Sequence, residues 1–292
     1  MPELAEVEFS RRQWDAGLLR QILDVRLHPS ARTLREIDPA RLRRGLRGVS
    51  LTGSWGRGKW MLFATSAQGW LGIHLGMSGR LLCRDADSGS PASIQATGRE
   101  SEARFSRGTV QRRHEHLVIV QEGRHLVFAD ARQFGRVRFD RGTEPPAWWR
   151  ELPPDILSSG FRRQRLEEFL ARHPGAPIKG VLLLQEGFPG IGNWMADEIL
   201  WRAGIHPART AATLRREELA RLFAETRRVA RLAMSSVGVR GSDPPRGWLF
   251  HQRWADGGHC PATGVPLVRE RIGGRTTCWS PGRQVPPSRG RR

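Results

Sequence analysis

The spacing of apolar residues changes twice along this chain of 292 residues, and that change restricts the fold more than any other feature. Leu4, Val7, Trp14 and Leu18 recur on a helical period, which predicts an amphipathic helix from Glu3 to about Arg20 with Pro2 at its mouth. From about Gly45 to Phe139 the pattern becomes short apolar runs separated by turns. KWMLFATSAQGWLGIHLGMSGRLL and HLVIVQEGRHLVFAD read as hairpins turning near 67–69 and 122–123, so a β-rich layer is expected. Helical spacing returns over 164–172, 178–185, 194–202 and 215–235, and short strands follow from about Trp248. The class is therefore α+β and multidomain: a β-rich domain, a helical domain and a small β appendage.

Three segments break the periodic pattern. The polar, aperiodic stretch 85–108 predicts a mobile loop inserted in the sheet. Residues 142–154, with Pro145, Pro146, Pro153 and Pro154, predict an interdomain linker, and 286–292 a frayed basic tail.

Lys and Arg total 48 against 29 Asp and Glu, a formal net charge of +19 spread over the whole chain. A polyanion is the expected partner, with nucleic acid ahead of a membrane surface. No apolar run approaches the roughly 20 residues of a spanning helix, and no signal-peptide pattern precedes the first helix, so an intracellular, soluble protein is expected. Cys83, Cys260 and Cys278 are odd in number and widely spaced, which argues against a disulfide framework. Almost every basic residue is arginine; Lys59 and Lys179 are the only lysines. Where a positive charge alone suffices, arginine serves, so these two positions are expected to need a compact ammonium.

The opening octet, MPELAEVE, has two readings. Proline suits the first turn of a helix, and glutamates favour the positive end of its dipole. Alternatively, removal of Met1, usual before a small residue, frees the secondary amine of Pro2. An α-amino group titrates near 8 rather than the roughly 10.4 of lysine, and an adjoining helix N-terminus disfavours its cation further. Such an amine is a nucleophile at neutral pH.

MPELAEVE, GRGKW, HLGMSGR, DARQFGR and IKGVLLLQEGFPGIGNWMADEILWRAGIHPAR follow one another in an order and spacing similar to those of the formamidopyrimidine-DNA glycosylase and endonuclease VIII family. The resemblance covers most of the chain. It implies a β-sandwich with a flanking helix over 1–141, the linker, a helix-two-turn-helix domain over 155–247 and a finger-like β-hairpin over 248–285. It also implies a bifunctional glycosylase and abasic-site lyase of base excision repair. Pro2 would form the Schiff base, Glu3 act as acid and base, Glu6 support it in the same pocket, and Lys59 contact the phosphate beside the lesion. Lys179, Asn193, Arg275 and His74 would bind DNA. An enzyme acting on a base must evict its nucleotide and fill the gap: Phe134 would wedge the stack, Met77 occupy the vacancy and Arg132 pair with the orphaned base. Glu198 would brace the helical turn. Arg132 next to Phe134 is the formamidopyrimidine-type arrangement and points to an oxidised purine opposite cytosine. Oxidised pyrimidines, a broad lesion range, and a damage-binding protein without turnover stay open. The expected partner is damaged double-stranded DNA, met by a monomer in the bacterial cytoplasm at the nucleoid, with no membrane.

The chain departs from the family in three places. The family's zinc-finger frame, C-x2-C-x16-C-x2-C, falls here on Cys260, Thr263, Ser280 and Arg283, so three of four thiolates are missing. Cys278, His251 and His259 offer no chelating spacing, so no metal or other cofactor is expected, with Val265, Leu267, Ile272 and Trp279 packing in its place. Arg275 keeps the position of the finger arginine. Ala5 stands where the family commonly has proline, and 235–250 differs in wording from the lesion-capping loop.

Overall fold

The computed structural model describes residues 1–86 and 114–287. The expected inserted loop, apart from its first two residues, and the end of the tail lie outside the described residues. The chain divides into two compact units, Met1–Leu152 with Val237–Gly241, and Pro153–Ser236 with Ser242–Arg292.

The first unit begins with α1 (Leu4–Arg12), shorter than the pattern suggested. A 3-10 turn at Asp15–Gly17 and a left-handed Leu19 (φ 63°) end the helical run. Trp14 stays fully buried regardless, its indole N–H donating to the Leu82 carbonyl at 3.1 Å. The strands are β1 (Ile22–Leu27), β2 (Leu51–Arg57), β3 (Trp60–Thr65), β4 (Gly69–His74), β5 (Arg80–Asp85), β6 (Glu115–Gln121), β7 (Arg124–Ala129) and β8 (Arg136–Arg141). They form two antiparallel four-stranded sheets, β1-β6-β7-β5 and β2-β3-β4-β8. Met61, Phe63, Leu71 and Ile73 from one sheet and Leu117, Ile119, Leu126 and Phe128 from the other share one core, the alternation expected of a sandwich. Helix α1 lies against β2 and β3 of one sheet and β5 of the other; α2 (Pro39–Leu46) lies against β1. The segment 142–154 is more than a linker. Within it α3 (Ala147–Arg150) lays Trp148 over Gly72, where an added Cβ would stand 2.6 Å from the indole. Trp148 also donates to Asp140 Oδ2 at 3.0 Å, and Arg57 donates to the Trp149 carbonyl at 3.0 Å.

The second unit holds α4 (Arg163–Ala171), α5 (Ile178–Val181), α6 (Asn193–Ala203) and α7 (Arg216–Ala233), followed by a hairpin of β9 (Val268–Ile272) and β10 (Arg275–Trp279). Helix α5 is one turn rather than the eight residues its apolar pattern suggested, because Leu182 to Gly192 must make the tight loop that leads into α6. Gln185 holds that loop by accepting from the Gly190 N–H at 3.0 Å and donating to the Ile191 and Leu183 carbonyls at 2.9 Å each. Helix α6 is buried along nearly its whole length and ends at a left-handed Gly204. No helix among the described residues is long and apolar enough to cross a membrane.

Candidate active site and nucleic-acid interface

The mouth of α1 is built by its own glutamates. Glu3 is the N-cap and forms a reciprocal capping box with Glu6: the Glu3 backbone N–H donates to Glu6 Oε2 at 3.2 Å, and the Glu6 N–H returns to the Glu3 carboxylate. Glu3 is only 2% exposed, whereas Pro2 is half-buried and Met1 is 54% exposed. Ala5 is fully buried in α1.

Lys59 reaches this mouth from another element. Strands β2 and β3 pair through Arg57 and Trp60, so Gly58 and Lys59 are the two residues of a tight hairpin turn, and Gly58 takes the positive φ (59°) that such a turn demands. The Lys59 ammonium lies 3.6 Å from the Met1 sulfur.

His74 ends β4 in register with Trp60 of β3 and Arg136 of β8. Its Nδ1 accepts the Gly76 N–H at 3.1 Å, so the proton of the neutral ring sits on Nε2. Burial, then the nearby charges of Lys59 and Arg136, push its pKa down to about 4. It is a neutral donor in a cationic neighbourhood. Trp60 fixes the imidazole from one side, ring centroids 5.0 Å apart, and itself packs at a tilt against Trp148 at 4.9 Å, with the Arg138 guanidinium 5.1 Å over both indoles. Neither Trp60 nor Arg138 stood out in the sequence; the alternation of β3 and β8 that places both on one face was the available signal.

Met77, Arg132 and Phe134 come from two adjacent loops, 75–79 and 130–135. Phe134 is 51% exposed for so large an apolar side chain, Arg132 is exposed with its guanidinium 5.2 Å over the Phe134 ring, and Met77 is half-buried. Gly76 (φ 65°) allows the loops to meet backbone to backbone: a Cβ there would stand 2.4 Å from the Phe134 carbonyl carbon.

In the second unit, Lys179 departs from the expectation of a direct DNA contact. It is fully buried, with its ammonium 2.5 Å from Asp197 Oδ1 and 2.7 Å from the Asn193 carbonyl. Asp197 Oδ2 takes two further bonds from Arg253, at 2.7 and 3.1 Å, and the Cys278 N–H at 3.1 Å. One buried carboxylate thereby ties α5, α6, the turn before the hairpin and β10 together. Asn193 is the first residue of α6, and Gly192 is the cap. Its side-chain amide donates to the Thr276 carbonyl at 3.0 Å, joining the helix mouth to the hairpin that carries exposed Arg275. Gly273 and Gly274, both at positive φ, turn that hairpin so close to α5 that a Cβ on Gly273 would stand 3.0 Å from Gly180 backbone atoms. Glu198, fully buried, accepts from Arg202 at 2.7 Å and from the Phe250 N–H at 3.2 Å; burial raises its pKa to about 7.

Of the four positions on the zinc frame that the resemblance implies, Cys260 alone is a cysteine. Among the described residues no three His, Cys, Asp or Glu side chains come together to bind one. Burial by itself would raise the Cys260 thiol. The polar side chains of Ser280 and Thr263 beside it and a hydrogen bond donated by the Trp201 indole N–H at 3.3 Å outweigh it and hold the thiol at about 7. Arg283 lies 4.8 Å over the Trp201 ring, turned to an aromatic face instead of a metal. Ile272 and Trp279 are buried and Leu267 packs beside Trp201, Cys260 and Cys278, but Val265, expected among them, is 37% exposed.

Residues 1–137 match the formamidopyrimidine-DNA glycosylase N-terminal domain, and 152–242 the helix-two-turn-helix domain of the same enzymes. A formamidopyrimidine-DNA glycosylase of Moorella thermoacetica is 34% identical over 93% of this chain and 95% of its own. That of Roseiflexus sp. is 31% identical over 96% and 98%. A crystal structure of the Lactococcus lactis enzyme with FAPY-dG-containing DNA superposes with a TM-score of 0.80 over 97% of this chain and 100% of that one, at 23% identity, a likeness of fold.

Proposed function

The chain belongs to the formamidopyrimidine-DNA glycosylase family, and from that premise we propose that it excises oxidised or ring-opened purines from double-stranded DNA and cuts the strand by β,δ-elimination. The observation that carries this reading is the meeting of Glu3, Glu6 and the Lys59 ammonium at the chain terminus, next to a proline. With Met1 removed, the lone pair of the Pro2 nitrogen attacks C1′ of the lesion nucleotide and the base departs. The attached nitrogen gives up its N–H proton to the Glu3 carboxylate, Glu3 delivers a proton to the ring oxygen, and the freed lone pair opens the deoxyribose to a C1′ iminium, which is cationic without being protonated because the amine is secondary. The iminium draws electrons from the C2′–H bond, and the 3′ phosphate leaves. A second elimination releases the 5′ phosphate, and water frees Pro2.

Lys59 and the neutral Nε2–H of His74 hold phosphates of the damaged strand. Asn193 and Arg275 hold phosphates from the second unit, and Lys179 acts through them as a positioning group. Phe134, Met77 and Arg132 fill the vacated stack, with the guanidinium of Arg132 pairing to an orphaned cytosine. The hairpin works without a metal, held by its apolar contacts and the hydrogen-bonded Cys260. The protein acts as a monomer in the cytoplasm, at the nucleoid.

A panel of duplexes carrying oxidised guanine, ring-opened guanine or oxidised thymine opposite each base tests the substrate assignment. Purine lesions opposite cytosine are cleaved fastest. Faster excision of oxidised thymine overturns the lesion assignment, and no excision of any overturns the enzymatic one.

A further inference from the structure

Between the two gap-filling loops lies a hydrogen-bonded knot that the proposed chemistry does not use. Asp130 is 1% exposed and precedes the Arg132 loop. Its Oδ1 accepts the Ser78 hydroxyl at 2.6 Å and the Arg132 N–H at 3.2 Å, and its Oδ2 accepts the Gly135 N–H at 2.8 Å. Ser78, one residue after Met77, also accepts the Arg132 N–H at 3.1 Å. The Asp130 carbonyl is held in turn by buried His116, Nε2 to oxygen 2.7 Å. At the loop's outer side Gln133 takes a left-handed conformation (φ 56°), and its Oε1 accepts the Arg32 N–H at 3.0 Å.

These bonds span the two loops, and Ser78 and Asp130 are the side-chain pair that makes the link. We propose that Asp130 and Ser78 are positioning residues that clip the Met77 loop to the Arg132–Phe134 loop, so that the gap-filling side chains enter the duplex as one rigid body. The proposal rests on the excision reading above and assigns it two residues. The physical ground is that a buried carboxylate with several donors locks backbone geometry, whereas Phe134, Met77 and Arg132 make no side-chain hydrogen bond to one another that would keep them in step. An exposed wedge on a loose loop would lose on insertion the order that the clip supplies beforehand.

The test compares wild type with Ser78→Ala, Ser78→Thr and Asp130→Asn on two substrates. One is a duplex bearing oxidised guanine, which requires the gap to be opened and filled. The other is a single-stranded oligonucleotide with an abasic site, trapped with borohydride, which requires only the amine. A lost hydrogen bond to a charged group predicts that Ser78→Ala and Asp130→Asn each lower single-turnover excision from the duplex about ten-fold. Single-strand trapping and the melting temperature stay at wild-type values for Ser78→Ala, and Ser78→Thr restores excision. Unchanged duplex excision by Ser78→Ala overturns the proposal, as does a parallel loss on both substrates with a lowered melting temperature. If wild type fails to trap the single strand, the enzymatic reading has failed first and the proposal falls with it.

Discussion

The ammonium of Lys59 meets the sulfur of Met1 across 58 positions of sequence, at 3.6 Å. A two-residue hairpin turn delivers the cation, and a capping box delivers the terminus. Neither element has freedom to swing away, because the turn is closed by the Arg57–Trp60 pair and the helix by Glu3 and Glu6. Lys59→Ala is expected to lower the excision rate constant on duplex substrate by about a hundred-fold, the scale of removing one preorganised charge from a reacting centre. Lys59→Arg recovers only part, since a planar fork does not fit a site shaped for a point charge. Single-turnover kinetics measure both.

Phosphate contacts made by charged and by neutral groups separate in their salt dependence. Arg275→Ala is expected to reduce the slope of log affinity against log salt by about one, because one fewer cation is released on binding. His74→Gln weakens binding without changing the slope, since the imidazole is held neutral with its pKa near 4. Filter binding over a salt series reads both slopes. The sign of the pH effect follows from the same shift. Between the ordinary 6.5 and about 4 the unfolded chain binds more protons than the folded one, so this group's contribution to stability falls as pH drops through that window.

Lys179→Ala is expected to act through stability. Removing it strips Asp197 of one of two cationic partners in a fully buried site, a change that costs about 3 to 5 kcal/mol when a buried pair is broken. Urea unfolding measures it. A drop in DNA affinity with stability unchanged would return Lys179 to the DNA-contacting role the resemblance implied.

Metal removal is expected to do nothing. Elemental analysis of the purified protein is expected to show no stoichiometric zinc, and a chelator to leave melting temperature and excision unchanged, because the Cys260 thiol is engaged by the Trp201 indole N–H. One zinc per chain would contradict this.

Much of the fold was legible where one physical rule acted alone. The hairpins around 67–69 and 122–123 declared themselves by alternation and turn residues, and α4, α6 and α7 by their apolar stripes. Strand β1 and helix α2 were not marked, because residues 21–46 mix Arg into both patterns. Helix α5 was overestimated because the residues after it are apolar for packing into a loop core, with Leu182, Phe188 and Ile191 fully buried. In the candidate site, the resemblance pointed to Pro2, Glu3, Lys59 and Phe134, and the structure sets Lys59 beside the chain terminus and leaves Phe134 exposed. Lys179 was misread, because a lysine beside a binding loop looks the same in sequence whether it meets a phosphate or Asp197, 18 positions away. Asp130, Ser78 and Trp60 were silent for a related reason: each acts by orienting a neighbour, and that relation exists only after the strands are in register.

The central claim concerns one atom, the Pro2 nitrogen. Borohydride reduction of the protein with a duplex containing an abasic site, followed by mass spectrometry of the trapped peptide, tests it most directly. The account predicts a covalent adduct on a chain that has lost Met1, with the deoxyribose joined to Pro2. An adduct on any other residue, or no adduct from a folded protein that binds the same duplex, would contradict it.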